Sequence, residues 1–178
     1  MKNLFPLLAI SAFALVAFNC KSNKETVSAT PDVKKEVKTS EQTEPQMLAS
    51  IERTACYGQC PMYKATFMNN GEVKYVGKHF VEKIGTYRTL LSADEVLLIQ
   101  ENIIEYKYFS LDSLYPTPIS DFPSCITEAR LNGKLKKVID RRNPPDNLKA
   151  FEKFLDGLLE GKELEKVSDE TNYDTKQK

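Results

Sequence analysis

The chain has no tryptophan and one histidine among its 178 residues. A single imidazole, His79, argues against a histidine-rich metal centre and against a His-based catalytic triad. Charge of one sign is missing too, because 25 Lys and Arg face 25 Asp and Glu. Nucleic-acid binders usually carry a basic excess, so this balance argues against such a partner. There is no Cys-x-x-Cys of the thioredoxin kind and no internal repeat. No apolar run is long enough to span a bilayer. The longest, Leu4 to Phe18, would reach about 22 Å as a helix, short of a ~30 Å hydrocarbon core.

What is present supports one packed domain with polar flanks, since 41% of residues are hydrophobic. Lys2, a short apolar run and then Cys20 read as an export signal. The segment Val16-Ala17-Phe18-Asn19-Cys20 resembles the lipobox of bacterial lipoproteins, although Phe18 and Asn19 stand where small residues are usual. That resemblance implies cleavage before Cys20 and its acylation by fatty acids such as palmitate. Each buried acyl methylene contributes ~0.8 kcal/mol, so several chains hold a protein on a membrane. The expected divisions are a signal peptide at 1–19, a lipid-anchored tether at 20–47, a folded domain at 48–161 and a polar tail at 162–178. The tether is rich in Lys, Glu, Ser, Thr and Pro, and cannot bury enough surface to offset its ordering entropy. About 25 such residues reach roughly 25–30 Å.

Within the domain, Tyr63, Ala65 and Phe67 alternate, Asn69-Asn70-Gly71 interrupts, and Val73 and Tyr75 resume. Pairing Phe67 with Val73 and Ala65 with Tyr75 puts the apolar residues on one face, with Gly71 as a G1 bulge. Residues 78–91 read as further strand, broken near Gly85. Ser92-Ala93-Asp94-Glu95 is a capping box ahead of a helix with Val96, Ile99, Ile103 and Tyr106 on one face. Phe109 to Pro123 holds three prolines and reads as an ordered loop. A hairpin follows, Ile126 to Leu131 and Leu135 to Ile139 about Asn132-Gly133. A last helix from Asp146 carries Leu148, Phe151, Leu155, Leu158 and Leu159 at helical spacing. Strands, helix, hairpin, helix describe an α+β fold: one domain, a mostly antiparallel sheet and two helices on one face. The other face is left to solvent or to a ligand.

Three cysteines remain beyond Cys20. In an exported chain a disulfide is the default. Cys56 and Cys60 can meet if Tyr57-Gly58-Gln59 turns tightly, and either could instead pair with Cys125. The sharper alternative is thiol-redox or Cu(I) chemistry, since Cys-x-x-x-Cys-Pro also occurs in periplasmic copper chaperones. Cys56 and Cys60 would then supply soft thiolates, with Met62 and His79 completing the set. Those chaperones place the motif at a strand-to-helix turn, whereas residues 62–68 here read as strand.

The segment Arg53-Thr54-Ala55-Cys56-Tyr57-Gly58-Gln59-Cys60-Pro61-Met62-Tyr63 resembles a bacterial family known as domain of unknown function 6438. Its members share R-x-x-C-x-G-x-C-P-x-Y, and the likeness continues through Gly71, Tyr75-x-Gly77 and Gly85. It resumes at Phe109-Ser110-Leu111, Asp121-x-Pro123 and Asn132-Gly133-Lys134, covering roughly residues 47–160. The resemblance implies a lipoprotein setting and supplies no activity. Cys125 stands outside the pattern, which implies a Cys56–Cys60 bridge and a free Cys125.

Asp112, Asp121, Glu128, Asp140, Arg141 and Arg142 invite an acid/base or anion site, but nothing in their spacing positions them for it. No cofactor is indicated, and the sequence leans away from an enzyme. The expectation is a lipid-anchored module facing the periplasm or cell surface, which binds an envelope partner or stabilises an assembly.

Overall fold

A computed structural model describes residues 44–171. They belong to the second of two units into which the chain divides, residues 41–178. Cys20, the signal and tether up to residue 43, and residues 172–178 lie outside the described residues.

The elements are β1 (Met47–Arg53), β2 (Met62–Met68), β3 (Glu72–His79), β4 (Gly85–Leu90) and α1 (Ala93–Glu105). There follow a 3-10 turn (Tyr108–Ser110), β5 (Leu114–Tyr115), β6 (Cys125–Leu131), β7 (Lys134–Asp140), α2 (Asp146–Gly157) and β8 (Glu165–Ser168). The strands form one sheet in the order β5-β7-β6-β1-β2-β3-β4-β8. Only the β5–β7 pair is parallel among them. The protein is thus α+β, with a mostly antiparallel sheet and two helices.

The hairpin register follows the alternation, with Ala65 opposite Tyr75 and Phe67 opposite Val73. Gly71 takes φ +88°, and a Cβ there would meet the Leu91 carbonyl oxygen at 2.7 Å. Glycine is therefore required on two counts. Ser92 caps α1 with both arms of the capping box closed. Ile99, Ile103, Leu148, Phe151 and Leu155 from the helices are buried with Ile51, Phe67 and Val73 of the sheet. Each such side chain contributes about 1.5–3 kcal/mol by leaving water. Tyr108 is wholly buried, and its hydroxyl meets Thr127 Oγ1 at 2.8 Å, which satisfies both groups.

One strand was not anticipated, and two expectations need correction. β1 lies at the centre of the sheet between β2 and β6, and Leu48, Ala49, Ser50 and Ile51 are buried in succession. A register shift between Met47 and Ala49 interrupts the period at Leu48, and Ser50, opposite Thr66 and Glu128, is buried on the face away from Ala49 and Ile51. Residues 109–123 are not loop throughout, because β5 adds a short edge to β7. The polar segment from residue 162 is not all tail: residues 165–168 are β8, paired with β4. Backbone pairing holds that edge strand where side chains give no signal. Gly85, at φ +116°, lets the Ser168 carbonyl approach to where a Cβ would lie 2.7 Å away. Thr86 Oγ1 donates to the Glu170 carbonyl at 2.7 Å.

The sheet face away from the core is polar. Lys64 pairs with Glu52 and Lys137 with Glu128, both at 3.6 Å. Among the described residues no helix is long and apolar enough to cross a membrane.

Candidate functional site

Strand register builds the site. Tyr63 on β2 lies opposite Arg53 on β1. Arg53 lies opposite Cys125 on β6, and Cys125 opposite Asp140 on β7. Four polar or reactive side chains therefore run in one row across four strands. Glu152 and Asp156 stand four residues apart on α2, one helical turn, and both interact with this row.

Asp156 anchors one end. Arg53 Nη2 donates to Asp156 Oδ2 at 2.6 Å and Nε to the same oxygen at 3.2 Å. The Tyr63 hydroxyl donates to Asp156 Oδ1. Burial, then this hydrogen bond, raise the Tyr63 phenol well above its usual range. Tyr63 also stacks on Tyr75 at 5.5 Å between ring centroids.

The other end holds uncompensated acid. Glu152 is 6% exposed, and its Oε1 has no hydrogen-bond partner among the described residues. Asp140 Oδ1 is likewise buried and without one. Burial, then the nearby Asp140, push Glu152 up to about 7. Burial also raises Asp140, against Lys149 and Arg53, which pull it down. Cys125 is a free buried thiol. Burial, then the Glu152 charge, hold it protonated well above its ordinary range.

Two loops close over this end of the sheet. Thr54 N–H donates to the Ser124 carbonyl at 3.0 Å, and Ser124 N–H returns to Thr54 Oγ1 at 2.8 Å. The first loop carries a Cys56–Cys60 disulfide with Cα atoms 5.8 Å apart. At its tip Tyr57 is 95% exposed. The second loop is gripped by Arg141, whose Nη2 donates to the carbonyls of Ile119, Ser120 and Phe122 at 2.8–3.1 Å. Between the loops lies a cavity of about 250 Å³. Arg53, Cys125 and Asp140 line it from the sheet, and Cys60, Pro61, Phe122 and Pro123 from the loops.

Several residues singled out in the sequence stand elsewhere. His79 is exposed at the end of β3, opposite Met62 and beside Phe80. It does not line the cavity. Cys56 and Cys60 are bonded to each other, so in this state neither offers a thiolate to copper. Among the described residues no group of three or more His, Cys, Asp or Glu gathers in a metal-binding arrangement. Asp112, Asp121 and Arg142 are exposed, and Glu128 faces Lys137. Of that charged set only Asp140 and Arg141 reach the cavity. Arg141 spends Nη2 on loop carbonyls, so that nitrogen is not held open for an anion.

Glu152 and Asp156 were not legible as site residues. Their one signal is position, because each directly follows a buried residue of the α2 stripe, Phe151 or Leu155.

The sequence model of the family described as Domain of unknown function (DUF6438) matches residues 47–159. That span holds the whole row, both loops and α2. No curated protein matches the chain.

Proposed function

This chain belongs to the family Domain of unknown function (DUF6438), and on that premise we propose that it is a lipid-anchored, non-enzymatic binding module of the bacterial cell envelope. Cys20 carries the anchor, and the tether holds the domain off the membrane facing the periplasm or cell surface. The cavity between the disulfide loop and the 119–124 loop is the binding site.

One observation carries this reading. The Arg53, Cys60 and Pro61 positions of the motif converge with Asp140 on a cavity lined by both apolar and polar side chains. Binding sites commonly take that form, mostly apolar with a few fixed polar groups. The rim suits a partner, since Tyr57 projects from a loop held by a disulfide. A rigid aromatic there would bury area at little entropic cost. A binding role is favoured over catalysis because Arg53 is engaged by Asp156 and the Cys125 thiol is held protonated.

A second reading, thiol–disulfide exchange, draws on one fact: Cys60 and Cys125 line the same cavity. A Cys125 thiolate would attack Cys60 Sγ, forming a Cys60–Cys125 bond and releasing Cys56 as thiolate. The raised Cys125 thiol opposes this step. Copper binding by Cys56, Cys60 and His79 would first need an external dithiol to reduce the bridge.

Two experiments test the proposal. Intact mass of the mature membrane-bound chain is expected to correspond to a triacylated start at Cys20; an unmodified start at any residue removes the anchor. A photo-crosslinking residue at position 57 is expected to capture an envelope partner that the same residue at position 74 does not. Equal labelling from both positions contradicts binding at this rim.

A further inference from the structure

The proposed cavity also carries a statement about what it takes. Its cations are engaged. Arg53 is held by Asp156 and by Tyr63. Arg141 holds the loop carbonyls. Its acids keep oxygens without donors, although Lys149 and Arg53 act on Asp140 and Cys125 bonds to Glu152. Asp140 lines the cavity with a buried Oδ1 that accepts no hydrogen bond among the described residues. Glu152 lies behind the lining, hydrogen-bonded to Cys125, with Oε1 equally unpartnered. Buried carboxylate oxygens without donors cost free energy that a bound N–H donor recovers. The cavity that Asp140 lines is also lined by Pro61, Phe122 and Pro123. A ligand matched to this has a hydrogen-bonding cation at the end of a short hydrocarbon stem.

Building on the reading of the cavity as the binding site, we propose that it takes a primary ammonium on an aliphatic stem. Asp140 receives the ammonium and Glu152 supplies the second negative charge. The stem lies against Pro61, Phe122 and Pro123. A lysine side chain of a partner protein and a free alkylamine share this chemistry.

Glu152 adds a pH signature. The groups acting on it are Asp140 from β7, Arg53 from β1, Cys125 from β6 and Asp156 from its own helix. With its proton leaving near pH 7, an incoming cation favours the ionised form. Affinity therefore rises as pH increases from about 6 to about 8, and binding releases protons.

The test uses amide NMR of the full chain in detergent micelles, titrated with four probes. These are n-butylamine, Nα-acetyl-lysine N-methylamide, n-butanol and pentanoate. Saturable shifts at residues 53–54, 122–125 and 140–141 are expected with the two amines, and neither with butanol nor with pentanoate. Tighter binding of the lysine derivative marks a peptide source, and tighter binding of butylamine a free amine. Asp140→Asn is expected to weaken amine binding by about tenfold or more. Glu152→Gln is expected to abolish the pH dependence, and the unperturbed remainder of each spectrum shows that the variant folds. Pentanoate binding here without the amines overturns the ammonium inference and leaves the cavity as a binding site. No probe binding, together with no effect of either substitution on a partner crosslinked through position 57, overturns both.

Discussion

Arg53 and Asp156 lie 103 residues apart in sequence and meet at 2.6 Å, where the central strand β1 faces α2. Their side chains are 29% and 27% exposed, so the pair is partly shielded from water. It joins the residue that opens the R-x-x-C-x-G-x-C-P-x-Y motif to the helix that closes the domain.

Removing the guanidinium leaves Asp156 with the Tyr63 hydroxyl as its one hydrogen-bond partner among the described residues. Arg53→Met is expected to cost about 2 kcal/mol, the scale of a charge-assisted hydrogen bond lost in a half-buried site. Urea unfolding measures it. A double-mutant cycle with Asp156→Asn is expected to show coupling, and strictly additive losses would mean the pair acts independently.

Glu152 makes stability depend on pH in a defined direction. Its folded-state value, about 7, lies above the ordinary carboxyl value near 4.5. The folded chain therefore binds the proton more tightly. The stabilisation is complete below about pH 4.5 and is lost as pH rises through about 7. Its full size is on the order of 3 kcal/mol. Glu152→Gln removes that slope, so the variant is expected to gain on the wild type as pH rises from about 5 to about 8. Parallel stability curves for the two would contradict this. The Glu95 carboxyl is shifted the opposite way, lowered by Lys162 and by the Ser92 backbone, so the difference between variants is the relevant quantity.

The disulfide closes a small loop, its cysteines four positions apart in sequence. The chain-entropy contribution of so short a loop is about 2 kcal/mol. Cys56→Ser with Cys60→Ser is expected to lose no more than roughly that amount. Amide shifts should change at Thr54 and Ser124, the coupled loop residues, and remain fixed in α1. Loss of all cooperative unfolding would show that the bridge holds the whole domain.

β8 protects the β4 edge through three paired positions and the Thr86–Glu170 hydrogen bond. Truncation after Leu164 is expected to leave the core folded and to speed amide exchange in residues 85–90. Unchanged exchange there would mean that β8 does not persist in solution.

The legible parts of the fold are those with a period. The β2–β3 register followed from Tyr63, Ala65 and Phe67 against Val73 and Tyr75. The start of α1 followed from Ser92 and Glu95, and α2 from Leu148, Phe151 and Leu155. β1 went unread because the register shift at Leu48 leaves only Ala49 and Ile51 as alternating apolar core positions. β8 was hidden because an edge strand of Glu165, Lys166, Val167 and Ser168 is held by its backbone. The site was hidden with β1: Tyr63, Arg53, Cys125 and Asp140 become a row only once that strand lies between β2 and β6. Arg53 and Tyr63 were visible as motif letters, but their joint target, Asp156, reads in sequence as one more acid on a helix.

The most direct measurement of the central claim is where small ligands settle on the molecule. A fragment library of mixed charge, screened by amide NMR against the full chain, is expected to give saturable shifts clustered at residues 53–54, 60–61, 122–125 and 140–141. Saturable shifts confined to the polar sheet face around Lys64, Lys74 and Glu128, or none anywhere, would contradict the assignment of the cavity as the binding site.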